Sequence, residues 1–222
     1  MLNKNSNEII AKINKIIENQ NTELVLFEGD YISLINNNFI KSINCKFKCF
    51  LTFDDDDCHD FNFITAKSCD LVLSVCPISV QKYLKKGLNA HFFTLESSSK
   101  VFKDHKLKKD IDVLFFGRKS IERKNYISFI KDNNIKIKVI GWEGPDSISD
   151  EDLSKIISRS KIVVNFTETS NKYKKYNQKK LHNNQKQLKG RIWQAGLCKA
   201  ACVSENFPAK EIIFNDEQIA IF

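Results

Sequence analysis

The stretch Leu188–Phe222 limits the possible folds of this chain more strongly than any other part of the sequence. A helical pattern around Trp193 leads into the small apolar run 200–203, and a second short helical pattern leads into the apolar run 219–222. Such a run after a helical pattern predicts a helix packed on a buried strand. Helix, strand, helix and strand in this order are typical of a parallel α/β sheet, in which ligands bind where strands end in loops.

The same alternation runs through the rest of the chain. Helices are predicted at residues 7–19, 63–68, 77–87, 124–132 and 149–160, and strands at residues 24–27, 47–53, 71–75, 90–95, 112–116, 136–140 and 162–166. Strands that alternate with helices predict parallel sheets with right-handed crossovers. We therefore expect an α/β fold.

Two of the predicted helices carry more specific signals. In the helix at 124–132, Tyr126, Phe129 and Ile130 are expected to point inward. Ser149 is the predicted N-cap of the helix that follows it, because a serine hydroxyl accepts a hydrogen bond from the backbone of the first turn.

The segment 100–110 is charged and lacks a long apolar run, so we interpret it as a linker between two domains. This division gives an N-terminal Rossmann-like domain at residues 1–105 and a C-terminal one at residues 106–222. The architecture by itself does not identify a function.

Composition excludes several classes of protein. The 222 residues are 42% hydrophobic and 11% aromatic, which is ordinary for a globular protein. No apolar run approaches the ~20 residues that span a bilayer, and the N-terminus is too polar for a signal peptide, so we expect a cytoplasmic protein. The seven cysteines contain no CxxC pair, which indicates buried, reduced thiols and not zinc ligands.

Much of the formal net charge of +8 lies in residues 171–190, which contain seven lysines and no acid. Three interpretations remain open: a solvated loop, attraction of an anionic donor substrate, or attraction of an anionic lipid-linked acceptor. Dispersed lysines without a recognised nucleic-acid module argue against a nucleic-acid partner.

Basic residues follow the strand predicted at 112–116. Gly117 stands where this strand ends, and glycine lets a backbone approach a ligand closely. Arg118, and then Arg123 or Lys124 at the start of the next helix, can meet a diphosphate with charge-assisted hydrogen bonds. The alternative is that they are ordinary surface residues.

A second set of residues in the final stretch matches a known pattern. Arg191, Trp193 and Cys198 stand in the order seen in the donor-site segment of GT-B glycosyltransferases of the group 1 and CgeB-like kind, which this segment resembles. Gln194 stands where that family usually has Glu, and Lys199 where it usually has Gly. The resemblance implies that Gln194 contacts the ribose of a sugar nucleotide, since an amide keeps its hydrogen-bonding capacity but carries no charge.

The resemblance implies an α/β fold of two Rossmann-like parallel-sheet domains of GT-B type. Relative to that fold the sequence is incomplete at both ends, because it lacks the apolar first strand with its glycine loop and stops on a strand. The implied reaction moves a sugar from a nucleotide-sugar donor to an acceptor hydroxyl, with the N-terminal domain on the acceptor side. Arg118, Arg123 or Lys124, and Arg191 would hold the donor diphosphate without a bound metal or other cofactor.

The implied acceptor is a saccharide or a lipid-linked saccharide, as in surface polysaccharide or glycolipid synthesis. A lipid-linked acceptor would add a peripheral contact with the inner face of the membrane. The alternative is a catalytically degenerate relative that binds a nucleotide or glycan without turnover, which Gln194 and Lys199 favour.

Three further polar or aromatic positions follow predicted strands. Trp142 either stacks on the nucleotide base or covers the end of the sheet. Asn165 and Thr167 either satisfy the backbone of neighbouring loops or face the sugar.

The run DDDDCHD at 54–60 is the most conspicuous polar feature of the N-terminal half. If the acceptor needs a general base, Asp54, Asp57 and His59 are the candidates. Two alternatives remain: a solvated acidic loop, or a divalent-cation site of a metal-dependent phosphohydrolase, because clustered carboxylates suit hard cations.

Overall fold

The computed structural model describes residues 4–29, 37–94, 96–118, 120–141, 147–169 and 186–222. These residues form two compact units. The first unit holds the described residues up to Thr94 together with Lys186 and Gln187, and the second holds the remainder. The chain therefore passes from one unit to the other at residues 94–95, where the sequence predicted residues 105–106.

The segment 100–110, interpreted above as a linker, lies in the second unit. The ring of Phe102 is buried in the core of that unit. The backbone oxygen of Lys103 accepts a hydrogen bond of 2.9 Å from the hydroxyl of Ser158. Phe102 and the backbone of Lys103 thus anchor the segment to the second unit. The sequence suggested a linker because most of the neighbouring residues are charged.

The first unit is a parallel sheet with helices between its strands. Its four strands lie in the order β1-β2-β3-β4. In chain order the elements are α1 Lys4–Gln20, β1 Leu24–Glu28, α2 Asn37–Lys41, β2 Phe47–Thr52, α3 Asp55–Ala66, β3 Leu71–Ser74, α4 Pro77–Lys85 and β4 Ala90–Phe92.

Helix α3 begins at Asp55, eight residues before the predicted helix at 63–68. The acidic run is thus the first turn of a helix, where carboxylates interact favourably with the helix dipole. Pro77 begins α4 as predicted, in the first turn where its missing N–H leaves no bond unmade.

The second unit is also a parallel sheet. Its strand order is β6-β5-β7-β8-β9, and every pair is parallel. In chain order the elements are β5 Ile111–Phe116, α5 Ile121–Asp132, β6 Ile137–Ile140, α6 Asp150–Arg159, β7 Ser160–Asn165, α7 Arg191–Leu197, β8 Ala201–Ser204, α8 Lys210–Ile213 and β9 Ala220–Ile221. The order places a topological switch point between β5 and β7, because the chain runs from β5 to β6 on one side and from β7 to β8 on the other.

The predicted N-cap of α6 is confirmed. The Ser149 hydroxyl accepts a hydrogen bond of 3.1 Å from the backbone N–H of Asp152 and donates one of 2.9 Å to its carboxylate. Ser120 caps α5 in the same way, by accepting a hydrogen bond from the backbone N–H of Arg123. These caps fix where both helices start.

The two faces of the second sheet are covered unequally. Leu114 and Val163 pack against helices α6 and α7, whereas Val113 and Val164 belong to a smaller cluster that includes Ile127 of α5. Among the described residues, this second face is open over β7 and β8 and forms an apolar groove of about 660 Å³, lined among others by Tyr126, Phe129, Val164, Val203 and Phe222.

The expectation for the inward face of α5 is wrong in part. Phe129 is 68% exposed and Tyr126 is 38% exposed, whereas Ile127 is 7% exposed and is the residue that packs inward. The reason is the partial cover of this sheet face: two of the apolar residues of α5 border the open groove and do not reach a closed core.

All seven cysteines are free thiols; four are buried as predicted, whereas Cys45, Cys69 and Cys202 are half-buried. Burial raises the pKa of Cys69 and of Cys202 to about 12, so both thiols stay protonated at neutral pH. No helix in the described parts of the chain has the length and apolar character needed to cross a bilayer.

Candidate functional site

The candidate site lies at the switch point of the second sheet, where β5 and β7 end. Gly117 directly follows β5, Asn165 is the last residue of β7, and Arg191 is the first residue of α7. The structure brings these three predicted residues into contact. Ligands of open parallel sheets bind at the carboxyl ends of strands beside such a switch point.

The guanidinium of Arg191 is the centre of this cluster. Its Nη1 donates hydrogen bonds of 2.7 Å to Oδ1 of Asn165 and 3.2 Å to the backbone oxygen of Phe166. Its Cζ lies 5.5 Å from the ring centroid of Phe115. Within the described residues Arg191 makes no ion pair, and its Nη2 and Nε donate to no protein acceptor.

Burial, and then the nearby charge of Arg123, lower the pKa of Arg191 to about 9. Arg191 therefore remains a cation at neutral pH. A buried cation costs free energy unless an anion or several acceptors compensate for its lost hydration. The arrangement holds positive charge ready at a place where a parallel sheet accepts ligands.

Gly117 makes room for this guanidinium. Its φ is +128°, in the region that favours glycine. An ideal Cβ at this position would lie 2.9 Å from Nη2 of Arg191, which is closer than Cβ atoms approach other atoms, and 3.2 Å from Nε, which is tighter than most such contacts. Any other residue would displace the Arg191 side chain or the loop.

Asn165 orients the side chain of Arg191 through a hydrogen bond. The side chain is fully buried, and its Nδ2 donates a hydrogen bond of 2.8 Å to the hydroxyl of Ser204 on β8. Its Oδ1 is thereby directed to Arg191. The Asn165 side chain thus bonds to two other side chains, whereas one of its two predicted roles was to bond to the backbone of neighbouring loops.

Thr167 bonds to the loop that follows β8. Its backbone N–H donates a hydrogen bond of 2.7 Å to Oε2 of Glu205, and its hydroxyl donates to the backbone oxygen of Asn206. Glu205 is 3% exposed, and sequence reasoning did not assign it a role. The only signal was its place directly after a strand.

The three predicted phosphate ligands near β5 differ in position. Arg123 is 7% exposed, and its guanidinium donates to the backbone oxygens of Arg118 and Glu168. It braces the loop after β5 while its charge reaches Arg191. The side chains of Arg118 and Lys124 are exposed.

Gln194 and Trp193 are the other predicted residues of the donor segment that lie on α7. Gln194 is half-buried one helical turn after Arg191, and its side chain bonds to no described residue. The Trp193 ring packs on Phe214, with ring centroids 5.2 Å apart. Trp142, proposed to contact the base, lies outside the described residues.

The candidates for a general base lie in the first unit. Asp54 precedes α3, is half-buried, and accepts a hydrogen bond of 3.1 Å from Nε2 of Gln187. Asp57 is 7% exposed. His59 is 8% exposed, and its Nδ1 lies 3.1 Å from the hydroxyl of Ser79. Burial, and then the charge of Lys82, lower the pKa of His59 to about 4, so the imidazole is neutral at pH 7.

The aspartate that is most constrained was not singled out by the sequence. Asp55 is fully buried and accepts hydrogen bonds of 2.8 Å from Asn62, 3.0 Å from Tyr83 and 2.6 Å from Ser74. Burial raises its pKa although these donors act in the opposite direction. Polar residues inside otherwise apolar segments, such as Asn62 and Ser74, were the available signal for such a network.

The acidic run does not gather its carboxylates around one point. Asp54 and Asp55 bond to different partners, Gln187 for the first and the buried donors for the second. In the described ranges there is no group of three or more His, Cys, Asp or Glu side chains placed to hold a metal ion.

No protein-family model matches the sequence, and no curated protein matches it. Solved structures do. A protein assigned as a UDP-N-acetylglucosamine 2-epimerase from Listeria monocytogenes is 11% identical with a TM-score of 0.52, and the match covers 95% of this chain and 65% of that one. S. aureus MnaA in a co-structure with UDP is 9% identical with a TM-score of 0.51, over 95% and 66% of the two chains.

A third match is the Glycosylation Associate Protein (Gap123) complex from Streptococcus agalactiae, at 11% identity and a TM-score of 0.52, over 94% of this chain and 48% of that one. The chain thus spans about half to two-thirds of the length of these structures. At such low identity the likeness shows the fold alone. It confirms the predicted α/β architecture of two Rossmann-like parallel-sheet units, which is GT-B-like.

Proposed function

We propose that the second unit binds a nucleotide sugar through its diphosphate, and that the chain transfers the sugar to an acceptor hydroxyl. The observation that carries this proposal is the half-buried guanidinium of Arg191, held against Gly117 at the switch point of a parallel sheet. Switch points of such sheets are where nucleotides bind.

Electrostatics favours a diphosphate over a neutral ligand. Arg191 keeps its charge at neutral pH, and the charge of Arg123 acts on it. A guanidinium can form charge-assisted hydrogen bonds with phosphate oxygens. A charge-assisted pair inside a partly dry site is screened less by salt than a surface pair. A ligand with two or more negative charges would relieve the repulsion between the two cations.

The solved structures suggest which nucleotide to expect. One is assigned as acting on UDP-N-acetylglucosamine, and another contains UDP. Both share the fold of this chain, so a uridine diphosphate sugar is our proposed donor. Gln194 is our candidate for the ribose, because it lies one helical turn from Arg191 and its side chain bonds to no described residue.

The exposed Arg118 and Lys124 are proposed as further contacts of the diphosphate, and Trp142 as the contact of the base. Their role differs from that of Asn165, which acts by holding Arg191 in place. Guanidinium and ammonium groups can stabilise a leaving diphosphate, so we propose a reaction that requires no bound metal.

Glycosyl transfer is proposed from the match of Arg191, Trp193 and Cys198 to the donor segment of GT-B glycosyltransferases. The acceptor would be a saccharide or lipid-linked saccharide. His59 is the base candidate in the most suitable state, because a neutral imidazole can accept a proton. Asp54 and Asp57 stay alternatives.

Binding is tested by thermal melting and calorimetric titration of the full chain with UDP, GDP, ADP and CMP. We expect UDP to raise the melting temperature most. Arg191→Lys keeps the charge but loses the planar fork, and should weaken UDP binding about tenfold or more. Arg159→Lys is the matched control, since Arg159 pairs with Asp110 on the surface of the same unit. Equal effects of both variants, or no binding of any nucleotide, would overturn the proposal.

Turnover is tested by incubation with UDP-N-acetylglucosamine and UDP-glucose, followed by separation of the nucleotides. Release of UDP that is insensitive to EDTA supports transfer, with water as a poor acceptor. A changed sugar without net loss of the sugar nucleotide would instead show an epimerase, the activity assigned to the Listeria monocytogenes protein. Binding without either product would show a nucleotide-binding protein, as the amide at Gln194 allows.

A further inference from the structure

Residues of helix α3, of helix α4 and of the C-terminal end of α4 line a small open pocket in the first unit. It has a volume of about 320 Å³ and is lined by His59, Asp60, Phe63, Lys82, Lys85 and Lys86. This volume is at the lower end of the ~300–1,000 Å³ range of small-molecule sites. The proposed nucleotide site uses none of these residues and lies in the other unit, whereas His59 is also the base candidate named above for the acceptor.

The charge of the pocket is positive. Its lining carries three ammonium groups and one carboxylate, that of Asp60. Lys82, Lys85 and Lys86 form no ion pair with any described residue. Lys82 and Lys85 lie in the last turn of α4, where cations interact favourably with the helix dipole. That interaction accounts for the positions of Lys82 and Lys85. It does not account for the aromatic residues that line the same pocket.

The other residues of the lining, His59 and Phe63, are aromatic and uncharged at neutral pH. The rings of His59 and Phe63 are stacked with centroids 6.3 Å apart, and Tyr83 lies behind them at 4.6 Å from His59. The hydrogen bond to Ser79 occupies Nδ1 of His59 and fixes the ring. Flat apolar walls of this kind suit a ring-shaped ligand, with a few polar groups to orient it.

We propose that this pocket binds a sugar phosphate, with the phosphate against Lys82, Lys85 and Lys86 and the sugar ring against Phe63 and His59. Lysine is a common phosphate ligand and acts there as a point charge. Asp60 can accept a hydrogen bond from a sugar hydroxyl, which gives the one acid in the pocket a role. The inference does not rest on nucleotide binding by the second unit.

The probe is the imidazole proton resonance of His59, one of four histidines, followed by NMR in the full chain. Titration with glucose 6-phosphate should shift this resonance with saturation. Inorganic phosphate should shift it with lower affinity, because it lacks the ring, and glucose should not shift it. A loss of the resonance in His59→Asn assigns it.

Two variants separate the pocket from general surface charge. The double variant K82Q/K85Q should weaken glucose 6-phosphate binding about tenfold or more, the loss expected when charge-assisted bonds are removed. Lys15→Gln, on the exposed face of α1 in the same unit, should leave the affinity unchanged. Arg191→Lys should also leave it unchanged, which keeps this result independent of the nucleotide site.

The source of the sugar phosphate is distinguished by a second arm. Phosphatidylcholine vesicles with and without phosphatidylinositol 4-phosphate are sedimented with the protein. Binding of glucose 6-phosphate alone supports a free sugar phosphate, and specific sedimentation with the phosphorylated lipid supports a headgroup. No saturable His59 shift and no specific sedimentation would overturn the proposal, as would equal weakening by Lys15→Gln and K82Q/K85Q.

Discussion

Gly117 and Arg191 are in such close contact that a Cβ on the glycine would lie 2.9 Å from Nη2 of the arginine. Residues 74 positions apart in the chain are therefore matched to each other: one has no side chain where the other needs space. The contact forms because β5 and α7 end and begin at the same edge of the sheet.

Gly117→Ala should displace the guanidinium and strain the loop, because its φ of +128° favours glycine. We expect a loss of about 1–3 kcal/mol in unfolding free energy and a loss of UDP affinity of about tenfold or more. Urea unfolding and calorimetric titration measure the two effects. Gly87→Ala is the control: its φ is +76°, but nothing lies within 4 Å of the added Cβ. That variant should lose stability only, and a parallel loss of UDP affinity would contradict our assignment.

Asn165→Ala should be more costly than its size suggests. It removes the acceptor for Nη1 of Arg191 and the donor to Ser204, both in a buried place. Leaving a buried group unsatisfied costs about 1–3 kcal/mol, and more beside a charge, so we expect a total of about 3 kcal/mol. The exposed Asn133 donates only to the backbone oxygen of Phe129, and Asn133→Ala should stay within about 0.5 kcal/mol of the wild type. Similar losses in the two variants would argue against a structural role of Asn165.

Asp55 makes the stability of the first unit depend on pH. Burial raises the pKa of Asp55, so the folded state keeps this proton at pH values where the unfolded chain, with a carboxyl pKa of about 3.9, has lost it. Its contribution to the unfolding free energy is fully present below about pH 3.9 and is lost as the pH rises through the raised folded pKa. Asp55→Asn removes the titration and retains most of the hydrogen-bonding capacity.

The difference in unfolding free energy between the wild type and Asp55→Asn should therefore shift against the wild type as the pH rises through that window. Chemical denaturation at a series of pH values measures it. The comparison cancels the exposed carboxylates, such as Asp110 beside Arg159, whose pKa is lowered and whose effect has the opposite sign. A difference that does not change with pH would show that Asp55 titrates alike in both states.

His59 gives the opposite pH dependence. Burial and the charge of Lys82 lower its pKa to about 4, whereas an unfolded histidine has a pKa of about 6.5. Its contribution to stability is present above about pH 6.5 and is lost as the pH falls through 4. Lys82→Gln should raise the His59 pKa and Asp60→Asn should lower it, as followed by NMR titration. An unchanged pKa in both variants would place those charges farther from the ring than the structure does.

The strands were the best predicted part of the fold. Short apolar runs bounded by polar residues predicted the nine strands of the described residues to within a few residues, because such runs are typical of the strands of a parallel sheet. The start of α3 was missed because DDDDCHD reads as a loop, although its first-turn aspartates favour a helix N-terminus. The inward face of α5 was wrong because sequence periodicity cannot show that part of a sheet face is uncovered.

The candidate site was predictable in its residue types and not in its contacts. Gly117, Asn165 and Arg191 each follow or begin an element at the edge of the sheet, so their convergence follows from the topology. The pairing of Arg123 with backbone oxygens, by contrast, depends on the path of a loop, for which a single sequence carries no pattern. The same holds for the donors that gather around Asp55, which come from three different segments.

The apolar groove beside α5 affects which fluorescence signal can be used to follow thermal unfolding. Dyes whose fluorescence rises on apolar surfaces should bind to the native protein in this groove. Their fluorescence would then be high before unfolding and would conceal the unfolding transition. The intrinsic tryptophan emission, to which Trp193 contributes from its place against Phe214, avoids that background. For the same reason, a detergent monomer or a fatty chain should quench the dye without unfolding anything.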